Sequence, residues 1–154
     1  MKVVDDASEA IMSRDVITVN PDSTVREAVE LMLKHRISGL PVVDGEGKLV
    51  GLLTENDLVL GGKPSLPVHL QVLENLLGSQ DPELRTVQLR QLAGQSVSKL
   101  MTREVTTARP QTPVGELVNL LVANDFKRIS IIENGQLVGI VTQADIVRVM
   151  AEKD

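Results

Sequence analysis

Val25, Ala28, Val29, Met32 and Leu33 recur at helical spacing and line one face of a predicted helix. Ser23-Thr24 stand just before it and offer hydroxyls for its N-cap. The pattern returns at Val114, Leu117, Val118 and Leu121, with Thr112 as the predicted cap and Pro113 at the first helical position. Each helix leads into a short β run, Leu40-Pro41-Val42-Val43 in one case and Ile129-Ser130-Ile131-Ile132 in the other. Each run meets a turn. One is Asp44-Gly45-Glu46-Gly47; the other is Asn134-Gly135, a two-residue hairpin signal because both central positions of a type I′ turn need positive φ. Apolar runs over 49–53 and 137–141 read as returning strands, and a last helix opens at Thr54 or Thr142. With short strands at Ile17-Thr18-Val19 and Thr106-Thr107-Ala108, the order is β-α-β-β-α, twice.

The duplication extends to the letters. Met12-Ser13-Arg14-Asp15-Val16 returns as Met101-Thr102-Arg103-Glu104-Val105, and Gly51-Leu52-Leu53-Thr54-Glu55-Asn56-Asp57 as Gly139-Ile140-Val141-Thr142-Gln143-Ala144-Asp145. Two copies of one supersecondary unit bury their apolar faces on each other, so an α+β pair with pseudo-two-fold symmetry and a cleft between the copies is expected. The copies span 8–60 and 96–152. Residues 61–95 form an insertion, with Leu70, Leu73, Leu76 and Leu77 on one predicted helix and Leu84, Val87 and Leu92 on the next, which Asp81 caps and Pro82 begins. The insertion is too apolar for a flexible linker.

The bulk numbers narrow the function classes. The 154 residues are 42% hydrophobic with one Phe and no Tyr or Trp, so the core must be aliphatic. No Cys is present, which excludes disulfides, thiolate nucleophiles and Cys-based metal sites and fits a reducing, cytoplasmic setting. The N-terminus does not read as a signal peptide, and no apolar run approaches membrane-spanning length. A net charge of −5 and the lack of stacking aromatics argue against nucleic acid as a partner. No nucleophile–base constellation and no metal cluster is visible; His35 and His69 stand alone, so an enzyme is not expected.

The repeated Met-Ser/Thr-x-x-Val opening, the run Leu40-Pro41-Val42-Val43-Asp44, and Gly-Leu-Leu-Thr-x-x-Asp-Leu at 51–58 with its echo at 139–146 together resemble the cystathionine-β-synthase (CBS) domain, two copies of which make a Bateman module. Ser130 departs from the family, which often has Pro there. The resemblance implies a regulatory module that binds an adenosine-containing ligand between the repeats: AMP, ADP, ATP or S-adenosylmethionine. The alternative is a structural or dimerising module with degenerate clefts. The resemblance also implies a homodimer. The effector that such a module would regulate is not named by the sequence, nor whether the chain is an excised regulatory part.

Two readings attach to the Thr-x-x-Asp elements, Thr54 with Asp57 and Thr142 with Asp145. Each is close to a capping box. Each also places a hydroxyl at a helix N-terminus, which suits a phosphate, and a carboxylate that can accept both hydroxyls of a ribose. In the family the Thr and Asp take those two roles. An adenine needs a flat apolar slot with backbone polar groups at its edge. By family position the slot falls to Thr18 and Thr107 on the first strands, to Ser38, Gly39, Leu40 and Pro41, and to Ile129 and Ser130. Ile37 and Phe126, beside these, read as core. Lys127-Arg128 stand where copy one has Ser38-Gly39. They read either as solvated charges or, by resemblance to the γ subunit of AMP-activated protein kinase, as phosphate-facing residues.

Overall fold

Thr24 starts the first helix as its position predicts: its hydroxyl accepts the Glu27 N–H at 3.2 Å, and α1 runs over Val25–His35. It ends at Arg36, held in the left-handed region at φ 55. The computed structural model describes residues 6–59, 90–123 and 127–152, which divide into two compact units.

One unit holds Ile17–Gly45 and Val50–Glu104. After α1 come β1 (Gly39–Val43), β2 (Leu49–Thr54) and α2 (Glu55–Val59), then a helical stretch at 90–93 and α3 (Val97–Leu100). β1 and β2 are sheet neighbours. The strand predicted at 17–19 shrinks to a single parallel bridge, Val19 with Val42. The chain bends directly afterwards, where the Asn20 side chain accepts the Asp22 N–H at 2.8 Å, so no second pair forms. Residues 95–97 return to the start of α1: Gln95 O accepts the Val25 N–H, and the Val97 N–H reaches Ser23 O, both at 2.8 Å. Val25, Ala28, Met32, Leu40, Val42, Leu53, Val97 and Leu100 make an aliphatic core, as the composition requires.

The other unit holds Met1–Val16, Glu46–Leu49 and Val105–Asp154. A short 3₁₀ turn at Ser8–Ala10 precedes β3 (Thr107–Ala108), α4 (Val114–Ala123), β4 (Arg128–Glu133), β5 (Gln136–Thr142) and α5 (Gln143–Glu152). β3 lies parallel to β4, and β4 antiparallel to β5. The tight turn between them has φ 54 at Asn134 and φ 81 at Gly135, the two positive values expected of this pair. A bulge follows, since Ile131 faces Gly139 while Ile132 faces Leu137. Thr112 differs from its reading as a cap. Its hydroxyl turns back and accepts the Arg109 N–H at 2.9 Å, while the first helical N–H, of Val114, goes to Asp6 O. The core repeats that of the first unit, with Ile11, Val114, Leu117, Leu121, Ile129, Ile131, Val141 and Ile146.

The repeated opening motif now has a physical reason. Thr102 and Leu52 exchange backbone hydrogen bonds, both 2.9 Å, and a Cβ on Gly51 would lie 2.6 Å from Met101 Sδ. Ser13 and Ile140 pair in the same way, with Met12 against Gly139. Methionine needs a glycine beneath it, so Met and Gly recur together. Met12 opens the first copy in sequence yet packs in the unit that contains the second copy's sheet. The helices predicted over 69–77 and from 81 onward lie mostly outside the described residues, as does Phe126. Leu92 is described, and packs half-buried on the first unit's core.

Candidate functional site

Both Thr-x-x-Asp elements close as reciprocal caps. Asp57 Oδ2 accepts the Thr54 N–H at 2.9 Å and its hydroxyl at 3.2 Å, while Thr54 Oγ1 accepts the Asp57 N–H at 3.4 Å. Asp145 Oδ2 accepts the Thr142 N–H at 2.8 Å, and Thr142 Oγ1 accepts the Asp145 N–H at 3.2 Å. The bonds orient each carboxylate and leave its second oxygen directed elsewhere. There the copies part. Asp57 Oδ1 accepts the Thr102 hydroxyl at 2.8 Å, whereas Asp145 Oδ1 accepts from Arg148 Nη1 at 3.1 Å. Asp145 is buried and Asp57 half-buried. A carboxylate offers about four acceptor positions; Asp57 accepts three of the bonds above and Asp145 two, which leaves room for one further donor on Asp57 and two on Asp145.

The backbone ties the second-strand starts to the helix starts. Glu55 donates to Ser38 O at 3.0 Å, and Gln143 to Lys127 O at 3.4 Å. Ser38 and Gly39 therefore stand at the first turn of α2, and Lys127 and Arg128 at the first turn of α5. In the unit with β4, strand pairing sorts the remaining residues. Thr107 faces Ser130, Ser130 faces Ile140, and Arg128 faces Thr142, which puts Arg128, Ser130, Thr107 and Thr142 on one sheet face. Ile129 belongs to the opposite, helix-packed face and is fully buried, so only its backbone can serve a ligand. Ser130 is 1% exposed and its hydroxyl has no hydrogen-bond partner. In the other unit Leu40 is core, Pro41 is buried on the reverse face, and Thr18 is half-buried beside it, next to the Val19–Pro41 bond. Lys127 is exposed and Arg128 half-buried.

Two site neighbours escaped the sequence reading. Thr102 lies 45 residues from Asp57, a pairing no local spacing announces. Arg148 is three residues from Asp145 on one helix, a spacing that brings side chains together and was there to be read. A cavity of about 850 Å³ sits toward the far ends of β3 and β4, lined by Thr107, Arg109, Gln111, Thr112, Glu133 and Asn134 among others; of the expected residues it holds only Thr107. No group of three or more metal-ligating side chains occurs among the described residues, and no helix there is long and apolar enough to cross a membrane.

Family comparison matches the CBS domain at residues 7–61 and again at 97–152. The chain belongs to the CBS domain family. Solved CBS-domain structures match 95% and 97% of this chain, and the fold is the α+β CBS pair. The CBS domain of a CBS-domain-containing membrane protein from Sphaerobacter thermophilus is 31% identical, with a TM-score of 0.72 over 95% of this chain and 88% of that one. The CBS domain pair of MJ0100, solved in complex with 5′-methylthioadenosine and S-adenosyl-L-methionine, is 26% identical, with a TM-score of 0.68 over 97% and 98% of the two chains. Inosine-5′-monophosphate dehydrogenase of Methanocaldococcus jannaschii is 32% identical over 142 residues, which make 92% of this chain but only 23% of that enzyme.

Proposed function

We propose that this CBS pair is a regulatory module that senses an adenosine-containing ligand. The observation that carries the reading is the doubled, preoriented carboxylate: Asp57 and Asp145 are each fixed by a Thr at a strand-to-helix junction, with the second oxygen held by Thr102 in one case and by Arg148 in the other. A ribose diol is a matched donor pair for such an acceptor. The relative crystallised with two adenosine derivatives supports the ligand class. Thr18, Ser38–Pro41, Thr54 and Asp57 would serve one site, and Thr107, Lys127–Ser130, Thr142 and Asp145 the other. The matched stretch is only 23% of the dehydrogenase relative, so its catalysis is not carried over, and the module acts by favouring one arrangement of a larger assembly. Cytoplasmic residence and a homodimer belong to the same proposal.

A thermal-shift series with AMP, ADP, ATP, S-adenosylmethionine and NAD tests it. A ligand at 100 times its Kd stabilises the folded state by about 2.7 kcal/mol. Stabilisation by at least one is expected. If none acts at millimolar concentration, the structural reading, with clefts that bind nothing, replaces this one.

A further inference from the structure

The two Thr-x-x-Asp junctions share their geometry and differ in charge. In copy two the junction holds Asp145 with three cations: Lys127 and Arg128 at the start of β4, and Arg148 bonded to Asp145 itself. The matching positions of copy one are Ser38, Gly39 and Leu60, none of them charged. Copy one also has Glu55 in the first turn of its helix where copy two has Gln143. The opening segments add equally to both, Arg103-Glu104 on one side and Arg14-Asp15 on the other. Those opening segments aside, the described residues of the Asp57 group carry two acids and no cation, and those of the Asp145 group one acid and three cations.

We infer that the two junctions are sorted by ligand charge: the Asp145 junction takes a phosphorylated adenine nucleotide, and the Asp57 junction takes an unphosphorylated adenine nucleoside, neutral or cationic. Arg148 does the sorting on one side. It neutralises Asp145, so that the carboxylate accepts ribose hydroxyls without repelling the phosphate that follows, and Lys127 and Arg128 meet that phosphate as charge-assisted donors. Ser130 supports a ligand on this face. Its buried hydroxyl is unpartnered, on the same strand face as Arg128 and two residues away, and such groups call for a partner that a bound molecule supplies. On the other side, Asp57 is oriented by the neutral hydroxyl of Thr102, and Glu55 adds a second negative charge that disfavours phosphate and favours a cation such as a sulfonium. The assignment rests on the proposed adenosine-sensing role.

Calorimetry on the whole chain decides it, with AMP, 5′-methylthioadenosine and S-adenosylmethionine as probes. AMP is expected to bind once per chain. The other two are expected to bind protein already saturated with AMP, with affinity little changed. Arg148→Leu, which installs the residue of copy one, should weaken AMP about tenfold and leave 5′-methylthioadenosine untouched. Glu55→Gln should weaken S-adenosylmethionine and spare AMP. Melting temperatures without ligand show that each variant is folded. Two equal AMP sites, or full displacement of 5′-methylthioadenosine by AMP, would overturn the sorting while leaving the sensor intact. Failure of all three probes on the wild type would overturn the sorting, and would remove the sensor reading with it where the thermal-shift series also finds no stabilising ligand.

Discussion

Thr102 donates its hydroxyl to Asp57 at 2.8 Å across 45 residues of chain, and so ties the opening of the second copy to the carboxylate of the first. The bond is short and its acceptor charged, the stronger class of hydrogen bond. It also sits where the Thr102–Leu52 backbone pair already fixes the segment, so the hydroxyl arrives with little freedom left to lose.

Thr102→Val keeps the shape and removes the donor. The expected loss is about 1 kcal/mol of stability, in the range of a single hydrogen bond to a partly exposed group. Urea denaturation measures it. A variant as stable as the parent would mean that Asp57 is oriented by its cap alone.

The methionine-over-glycine contact invites a double-mutant cycle. Gly51→Ala puts a methyl group against Met101 Sδ and the Thr102 carbonyl, and should cost about 1–3 kcal/mol as overpacking does. Combined with Met101→Ala it should cost less than the two single changes added together, because the shortened side chain makes room. Additive losses would show that the crowding is relieved elsewhere.

Ser130→Ala deletes the unpartnered hydroxyl. Burying such a group without a bond carries a penalty of about 1–3 kcal/mol, so the ligand-free variant should melt above the parent. A lower melting temperature would reveal a partner for the hydroxyl in solution.

Lys127→Ala with Arg128→Ala should weaken nucleotide binding by one or two powers of ten, about 1.4 kcal/mol for each tenfold step, and hardly touch adenosine. Raising the salt concentration should narrow the difference, since exposed charges are screened. Equal losses for both ligands would assign the pair to the fold.

Val147 and Met150 lie exposed on α5, as do Leu33 on α1 and Val122 on α4, all large apolar side chains facing water in the single chain. Light scattering at micromolar concentration is expected to give about twice the 16.7 kDa chain mass, the commonest closed assembly. Val147→Glu should shift the mass toward the monomer, and a parent already at monomer mass would refute the association.

Local chemistry was readable in the chain and distant pairing was not. The caps of Thr24, Thr54 and Thr142 followed from hydroxyls placed just before apolar helical spacing, and the Asn134-Gly135 turn from residues that tolerate positive φ. Thr112 shows the limit: a hydroxyl before a helix can bond backward as well as forward, and here the carbonyl of Asp6 serves the helix instead. Ile17-Thr18-Val19 had the composition of a strand, but strand length depends on the partner's reach, and the Asn20 turn stops it after one residue. Of the candidate site residues, the capping geometry of Asp57 and Asp145 followed from spacing, while the difference between them came from Thr102 and Arg148, one remote and one adjacent.

The crossing of the opening segments sets an order of assembly on the ribosome. The unit of Ile17–Gly45 and Val50–Glu104 has all its residues once position 104 has emerged. The other joins Met1–Val16 to Val105–Asp154, so its earlier segment must wait for residues made about a hundred positions later. Ser13 pairs with Ile140, a loop closure across more than a hundred residues, and contacts of that separation form slowly. During that interval Ile11 and Met12 have no sheet to pack on, and apolar surface left open in this way is what makes a partly made chain prone to aggregate.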